Sequence, residues 1–375
     1  MINITKNPII KIQKNFIGQD RNLFIINYPL QLLNAIEAQK YFKTKNNILI
    51  IFYYEGQENN YEQLMKLIEL FDYTKLIIYQ KKSMDFMISL IKEINKEVYT
   101  KVFTGFFSAN SRRIIANLQY EQLFLIDDGV YTISIHNELY NKNLYGYKKN
   151  ITEYSEHKYN LVKKIVFYLY HHYRKLYFTF LGYQNDMKDY DMSFFTIFKL
   201  PQYNNENIVK NKYSFLKNYY LINTKSDTSN IVYFLGQPLY NVLDLSYADY
   251  LNLLKNIFLQ YQNSGKKIIY IPHRGESLKS RKEIKTLFKN IEMLELNIPF
   301  ELYLLENTIN ISYLASFVSS ALFTVKVLYP KVNIDAYVIP LKEKEKKTTL
   351  LIYDMLKKSQ GNILYLDKKG NISKK

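Results

Sequence analysis

The sequence predicts an α/β protein made of two Rossmann-like domains facing across a cleft. Three observations predict it. Apolar strand-like runs alternate with stretches of helical period through the first half, the alternation stops near residue 150, and it returns after about Asn230. A parallel sheet covered on both faces by helices produces that rhythm. The chain is also large enough for two ordinary domains, with 375 residues of which 47% are hydrophobic, so each half can bury its own core.

The first strands read as "LFIINY" (Leu23–Tyr28), "ILIIFYY" (Ile48–Tyr54), "KLIIYQ" (Lys75–Gln80) and "EQLFLID" (Glu121–Asp127). Between them "LQLLNAIEAQKYF" groups Leu30, Leu33, Ile36 and Ala38 near one helical face, and "YEQLMKLIELF" groups Leu64, Leu67, Ile68 and Phe71. Residues 150–225 break the pattern. There "LVKKIVFYLYHHYRKLYFTFLGY" (Leu161–Tyr183) is aromatic and basic at once. It reads either as a helix with a Tyr/Phe core face or as an interfacial surface. In the second reading Lys163, Lys164, Arg174 and Lys175 meet anionic lipid. No carboxylate neighbours His171 and His172, so no metal site is expected there.

In the second half "IVYFLGQPL" (Ile231–Leu239) is a strand running into a Gly-containing turn, followed by a helix around Tyr247–Asn263. "KKIIYIPHRGE" (Lys266–Glu276) is a strand ending in charge, Ser319–Leu328 is helical, "DAYVIP" (Asp335–Pro340) is a late strand, and "KEKEKK" (Lys342–Lys347) is a solvated start to the last helix. The expected domains are residues 1–225 and 226–345. A final segment, 346–375, is expected to cross back onto the first domain.

Composition narrows the partners. Cysteine is absent, which removes disulfides and Cys-ligated zinc. The N-terminus "MINITKNPIIKIQKNF" has no continuous apolar core with a cleavage site, and no run of 18 uncharged apolar residues occurs. Neither a signal peptide nor a membrane-spanning helix is therefore expected. The expected location is cytoplasmic, with peripheral attachment to the inner membrane as an option. A balance of 51 basic against 34 acidic residues, net +17, asks for an anionic partner. Nucleic acid, anionic lipid and a nucleotide-linked substrate all fit the charge. No zinc finger, RNA-binding aromatic signature or Arg-rich block accompanies it. Oligomeric state is left open, a homodimer included.

Four features fall at predicted strand ends or helix starts: Asp127-Asp128-Gly129, "IPHRGE" with Pro272, His273 and Arg274, Glu301 in "PFELYL", and Ser319-Ser320 before "ALFTVKVL". Open parallel sheets bind ligands at the carboxyl ends of their strands. Each feature has a plainer explanation: an Asp-Gly turn, a structural histidine, a serine N-cap. Glu276 is expected to be structural.

Taken together and in this order, the motifs resemble bacterial sialyltransferases that use CMP-activated nonulosonic acids. The resemblance is to glycosyltransferase family 52, to the capsule polysialyltransferases and to the Pasteurella-type family 80. An acidic-acidic-Gly motif, a later His-Pro motif and a Ser-Ser or Ser-Thr pair are common to them. "YPLQLLNAIEA" (Tyr28–Ala38) and "YFLGQPL" also resemble family 52, the first by its Pro-Leu-Gln element. One departure stands out: Pro272 precedes His273, and Arg274 follows it, where those families have His-Pro.

The resemblance implies a GT-B-like, inverting, metal-independent enzyme with no cofactor, a CMP-nonulosonic acid donor and a glycan acceptor. The acceptor would be a galactose-type hydroxyl of lipooligosaccharide or capsule. It implies Asp128 as general base, with Asp127 orienting its loop and Gly129 allowing the turn. On the donor side it implies His273 giving a hydrogen bond or proton to the departing phosphate, Ser319 and Ser320 holding that phosphate, and Glu301 the ribose. Gly236 and Gln237 are expected to approach sugar or phosphate. Arg274 is expected either to pair with a carboxylate or phosphate or to form a surface salt bridge. Two alternatives remain at this point: a GT-B enzyme using a nucleotide-diphosphate sugar, and a basic nucleic-acid-binding protein.

Overall fold

In a computed structural model the chain forms two compact units, the first comprising residues 1–196 and 200–211, the second 197–199 and 212–375. The structure describes residues 9–14, 18, 20–80, 83–140, 161–188, 191–202, 207–220, 226–227, 230–241, 245–339, 343–367 and 371–374.

The first unit contains β1 (Ile9–Gln13), β2 (Asn22–Ile26), α1 (Pro29–Phe42), β3 (Asn47–Tyr53), α2 (Glu58–Leu67), β4 (Lys75–Gln80), α3 (Met84–Ile94), β5 (Val98–Thr104), α4 (Ala109–Ile115) and β6 (Gln119–Ile126). It continues through α5 (Tyr131–Tyr140), α6 (Leu161–Phe180), β7 (Ser193–Thr196) and β8 (Ile208–Lys210). Its eight strands lie in the order β1-β4-β3-β2-β5-β6-β7-β8, all parallel except that β1 runs antiparallel to β4. Central strands buried on both faces read as unbroken apolar runs, and β2, "NLFII", is buried at every position. Phe24, Phe103 and Phe124 sit side by side on β2, β5 and β6, with the first two rings stacked at 4.4 Å, and Phe42 of α1 covers them. The chain builds outward from β2 in one direction and from β5 in the other, so a topological switch point lies between them.

The second unit contains α7 (Ser214–Tyr219), β9 (Ser226–Asp227), β10 (Ile231–Leu235), α8 (Tyr247–Asn263), β11 (Lys267–Ile271), α9 (Leu278–Leu287), β12 (Glu292–Met293) and α10 (Phe300–Glu306). After these come β13 (Ile309–Asn310), β14 (Tyr313–Ser316), α11 (Ala321–Leu328), β15 (Asn333–Val338), α12 (Glu343–Lys358), β16 (Asn362–Leu366) and β17 (Ile372–Lys374). Its main sheet has the order β12-β11-β10-β14-β15-β16-β17, parallel apart from β17. The switch point here lies between β10 and β14. Phe234, Phe258, Tyr270, Phe317 and Tyr337 cluster in its core. Serine hydroxyls cap α8 and α9: Ser246 accepts from the Asp249 N–H and Ser277 from the Ser280 N–H.

The α/β class with two Rossmann-like units is the class expected. The compact units divide near residue 211, where β8 ends the first sheet; the expected division was 225. Within the C-terminal segment β16 pairs with β15 and β17 with β16, which extends the second sheet and gives these short strands a backbone partner. Pro340 and Lys342 lie outside the described residues, as do residues 1–8 of the N-terminal stretch.

Candidate functional site

The adjacent acids Asp127 and Asp128, just past β6, make their contacts in different directions. Asp127, which follows β6, is buried, and its Oδ1 accepts a 2.6 Å hydrogen bond from Thr196 at the end of β7. Its carbonyl accepts from Asn34 Nδ2 of α1, and Asn34 in turn accepts from the buried Asn211. Asp128 is half-buried, and Oδ1 accepts a 2.8 Å bond from Gln31 Nε2. The turn is closed by the Asp128 N–H donating to Thr132 Oγ1 at 3.0 Å and by Gly129 at φ +62°, a conformation that favours glycine.

Gln31 is a residue that sequence reasoning did not single out, although it lies in the Pro-Leu-Gln element. Pro29 suits the first helical position of α1 because its missing N–H would have no partner there. Two residues on, Gln31 Oε1 accepts from the Asn27 N–H at 2.8 Å and the Tyr28 N–H at 3.4 Å, leaving its amide to donate to Asp128. A Cβ on Gly105, just past β5, would come within 2.5 Å of the Gln31 side chain. Gly105 therefore makes room for Gln31 at the switch point between β2 and β5. Half-buried Tyr28, Tyr54, Phe106 and Tyr131 form an adjoining aromatic group. Asn27 Nδ2 donates to the Tyr54 hydroxyl at 2.7 Å, and burial pushes the Tyr54 pKa up to about 12.

In the second unit Gln237 and, through Thr324, Glu301 are joined to the Ser319-Ser320 loop beside the other switch point, and His273 stands one strand further out, after β11. Gln237, past β10, donates through Nε2 to the Val318 carbonyl and accepts from the Val318 N–H through Oε1 at 2.8 Å. Its amide is thus committed to the backbone leading into Ser319. Gln237 thereby positions the serine loop, a role in addition to the contact with sugar or phosphate expected of it. At Gly236 the space a side chain would fill is taken by the Tyr270 hydroxyl, so packing calls for glycine here. Ser319 Oγ accepts from the Ala321 N–H at 3.3 Å, and Ser320 is the N-cap of α11 with its hydroxyl making no cap bond.

Glu301, in the first turn of α10, is buried and accepts from Thr324 Oγ1, which also reaches the Ser320 carbonyl at 3.4 Å. Burial raises its pKa, and the Thr324 bond opposes that. A raised folded-state pKa means the native protein holds the proton more tightly than the unfolded chain. Stability from this group is thus fullest at acid pH and declines as pH rises through the folded value. We expect Glu301→Gln to flatten that decline, so that its stability relative to wild type improves between pH 4 and pH 8. Urea unfolding at the two pH values measures it, and an unchanged pH slope would refute the assignment.

His273 follows β11 in a tight turn. The Gly275 N–H donates to His273 Nδ1 at 3.0 Å, and the Glu276 N–H donates to its carbonyl at 2.8 Å. An Nδ1 that accepts leaves the neutral ring's proton on Nε2. The residue is exposed, yet neighbouring atoms desolvate the ring and Arg274 and Arg281 disfavour a further charge, so its pKa falls to about 4. Of the hydrogen bond or proton expected from His273, the neutral ring offers the first, through Nε2–H. Beneath the turn the buried Glu276 accepts from Tyr270 at 2.7 Å and Tyr250 at 3.3 Å, in line with a structural role. Pro272 is half-buried and Arg274 exposed. Each unit thus collects its predicted residues at the carboxyl ends of its strands. Among the described residues no three His, Cys, Asp or Glu side chains are close enough to hold a metal ion.

A sequence model of the alpha-2,8-polysialyltransferase (POLYST) family matches residues 22–338. No curated protein sequence matches the chain. Among solved structures, a sialyltransferase from Photobacterium damsela aligns at 11% identity and TM-score 0.47, covering 93% of this chain and 82% of that one. The E. coli heptosyltransferase WaaC with ADP-2-deoxy-2-fluoro heptose aligns at 12% identity and TM-score 0.38, covering 86% and 90%. Acinetobacter baumannii MurG aligns at 8% identity and TM-score 0.41, covering 94% and 87%.

Proposed function

The chain belongs to the alpha-2,8-polysialyltransferase family, and from that premise we propose that it is an inverting, metal-independent sialyltransferase using a CMP-activated nonulosonic acid. It is a glycosyltransferase with a GT-B-like pair of Rossmann-like units, a nucleotide-sugar donor and a glycan acceptor. In the proposed reaction an acceptor hydroxyl attacks the anomeric carbon of the donor sugar, and Asp128 takes the hydroxyl proton. The bond from that carbon to the CMP phosphate oxygen breaks, and CMP leaves with the electron pair. His273 Nε2–H donates to the phosphate as charge develops there. Ser319 and Ser320 hold the phosphate, Glu301 the ribose, and Arg274 a phosphate or carboxylate. Only one phosphate leaves, so less charge needs neutralising than for a diphosphate, and the hydroxyls, amides and imidazole suffice.

One observation supports this reading above the others. Asp128 stands at a strand's carboxyl end, oriented by the buried Gln31, while Asp127 is turned inward to Thr196. Turn chemistry alone does not require a buried glutamine aimed at the second acid. The acceptor belongs to capsule or lipooligosaccharide. The family's name favours a hydroxyl of a terminal sialic acid on a growing chain over the galactose-type hydroxyl that the short motifs suggest.

The test is CMP release from several CMP-nonulosonic acids, with a galactoside and a short sialic acid oligomer as acceptors and UDP-sugars as donor controls. Turnover with a CMP-sugar is expected to survive excess EDTA. Turnover with UDP-sugars alone, or complete loss in EDTA restored by Mg²⁺ or Mn²⁺, would overturn the reading.

A further inference from the structure

The loops after β10, β11 and β14 of the second unit are linked from below by one buried acid. Glu276 closes the His273 turn, its N–H donating to the His273 carbonyl at 2.8 Å. Its side chain is directed into the protein and is 4% exposed. Oε1 accepts from the Tyr270 hydroxyl of β11 at 2.7 Å and from the Tyr250 hydroxyl of α8 at 3.3 Å, and the two hydroxyls lie 3.3 Å apart. Oε2 is buried with no hydrogen-bond partner among the described residues. Burial raises the Glu276 pKa, and the bonds from the two tyrosines oppose that rise. Stability alone would favour a well-packed apolar side chain over an acid with one unpaired oxygen. The acid therefore calls for a reason beyond packing.

Its connections supply one. The Tyr270 hydroxyl that Glu276 holds occupies the space a side chain on Gly236 would fill. The Gln237 backbone is hydrogen-bonded to the Tyr250 hydroxyl. The Gln237 amide in turn holds Val318, which leads into Ser319. A path thus runs from His273 through Glu276, the two tyrosines and residues 236–237 to the serine loop. Burial raises the pKa of both tyrosines well above the ordinary value, so they stay neutral donors. On its other side the His273 carbonyl accepts from Arg281 Nη2 at 3.4 Å, while Arg281 Nη1 is paired with Glu295. Groups on separate loops that must meet one phosphate need such a support, because small misplacements cost large factors in rate.

We propose that Glu276 is a positioning residue which, through Tyr270 and Tyr250, holds the His273 turn and the serine loop in register for the leaving phosphate. This rests on the reading of His273 and the serines as the donor site. Glu276 itself touches neither sugar nor phosphate.

The test compares Glu276→Ala, Glu276→Gln and Tyr270→Phe in the full chain. Glu276→Ala should lower kcat about tenfold or more, with a smaller change in the donor KM. In Glu276→Gln the side-chain oxygen can still accept from both tyrosines, so most of the rate should return. Tyr270→Phe removes only a hydroxyl and should also slow turnover. Adding it to Glu276→Ala should cost little more, because both break one link. Nitrogen-resolved NMR of the free protein reads the positioning without catalysis. In Glu276→Ala the His273 titration should move up from about 4 toward the ordinary value of about 6.5, and in Glu276→Gln it should stay as in wild type. Unchanged His273 signals in both Glu276→Ala and Tyr270→Phe would overturn the proposal. So would rate losses that follow melting temperature and that Glu276→Gln does not restore. Should Glu276→Ala fail to fold, the spectrum and kinetics of Tyr270→Phe decide alone. Wild-type kcat in His273→Ala, with His273 signals that still move in Glu276→Ala, would instead overturn the donor-site reading.

Discussion

Asp128→Asn should leave the fold and CMP binding nearly intact and remove most turnover, a loss of about 10²–10⁴-fold in kcat. The substitution keeps size and shape. The Gln31 amide can still donate, now to a side-chain carbonyl in place of the carboxylate oxygen it meets at 2.8 Å. What disappears is the capacity to accept the acceptor's proton. Asp127→Asn is the contrasting change. Asp127 is buried and bonded to Thr196, so disturbing it acts first on stability, as buried polar networks do. The pair separates chemistry from support. Calorimetry with CMP, thermal unfolding and steady-state kinetics read the three quantities. Wild-type turnover in Asp128→Asn would reject Asp128 as the base. A parallel collapse of CMP affinity and melting temperature would make it a structural acid.

The parts of this molecule legible in the sequence were those where one residue's neighbours along the chain carry the signal. β2, β3, β4, β10 and β11 are apolar runs because parallel strands are buried on both faces. Asp127-Asp128 stood out because acids interrupt such a run. β5 did not stand out, though it is central: Lys101 and two threonines break "VYTKVFT", and its first residue, Val98, is exposed. β14 is only four residues, "YLAS", too short a run to read as a strand from sequence. The supports of the site were hidden for a different reason. Gln31 is 97 residues from Asp128, and Thr196 is 69 from Asp127. Only the sheet order brings them together, and glutamine or threonine in a helix or strand is unremarkable by itself. Gly236 and Gln237 were noticed for the ligand side of the strand end, while their contacts within the protein were hidden: the Tyr270 hydroxyl against Gly236 and the Val318 backbone against Gln237 come from distant parts of the chain. Helix α6 offered two readings because periodicity defines a stripe but not which way it faces.

The two units answer to one design at their switch points. In the first, Gln31 follows β2 and holds the acid beyond β6. In the second, Gln237 follows β10 and holds Val318 and the serines beyond β14. In both, a glutamine amide just past the first-built strand fixes a loop from a strand on the other side of the switch. The candidate groups stand on loops, yet their geometry is inherited from the sheet.

His273→Ala is expected to cost about 10²–10³-fold in kcat, the range for losing one preorganised donor to developing charge, with CMP affinity little changed. The asymmetry follows from when the charge appears. Bound CMP-sugar carries a phosphate diester, and negative charge concentrates on its leaving oxygen only as the bond to the sugar breaks. A donor aimed there therefore strengthens toward the transition state. The pH dependence tests the form of the donor. With a folded pKa of about 4 against an ordinary value near 6.5, the ring is neutral throughout the range where a solvated histidine would be titrating. Its depressed pKa contributes stability that is present above the unfolded value and lost as pH falls toward 4. In nitrogen-resolved NMR of the free protein, His273 should show a protonated Nε2 and an accepting Nδ1 at pH 7, as the 3.0 Å bond from the Gly275 N–H requires. Its titration should lie well below pH 6. A midpoint near 6.5 with the proton on Nδ1 would remove the neutral donor from the mechanism. Wild-type kcat in His273→Ala would remove the histidine altogether, leaving the serine loop and the α11 terminus to meet the leaving phosphate.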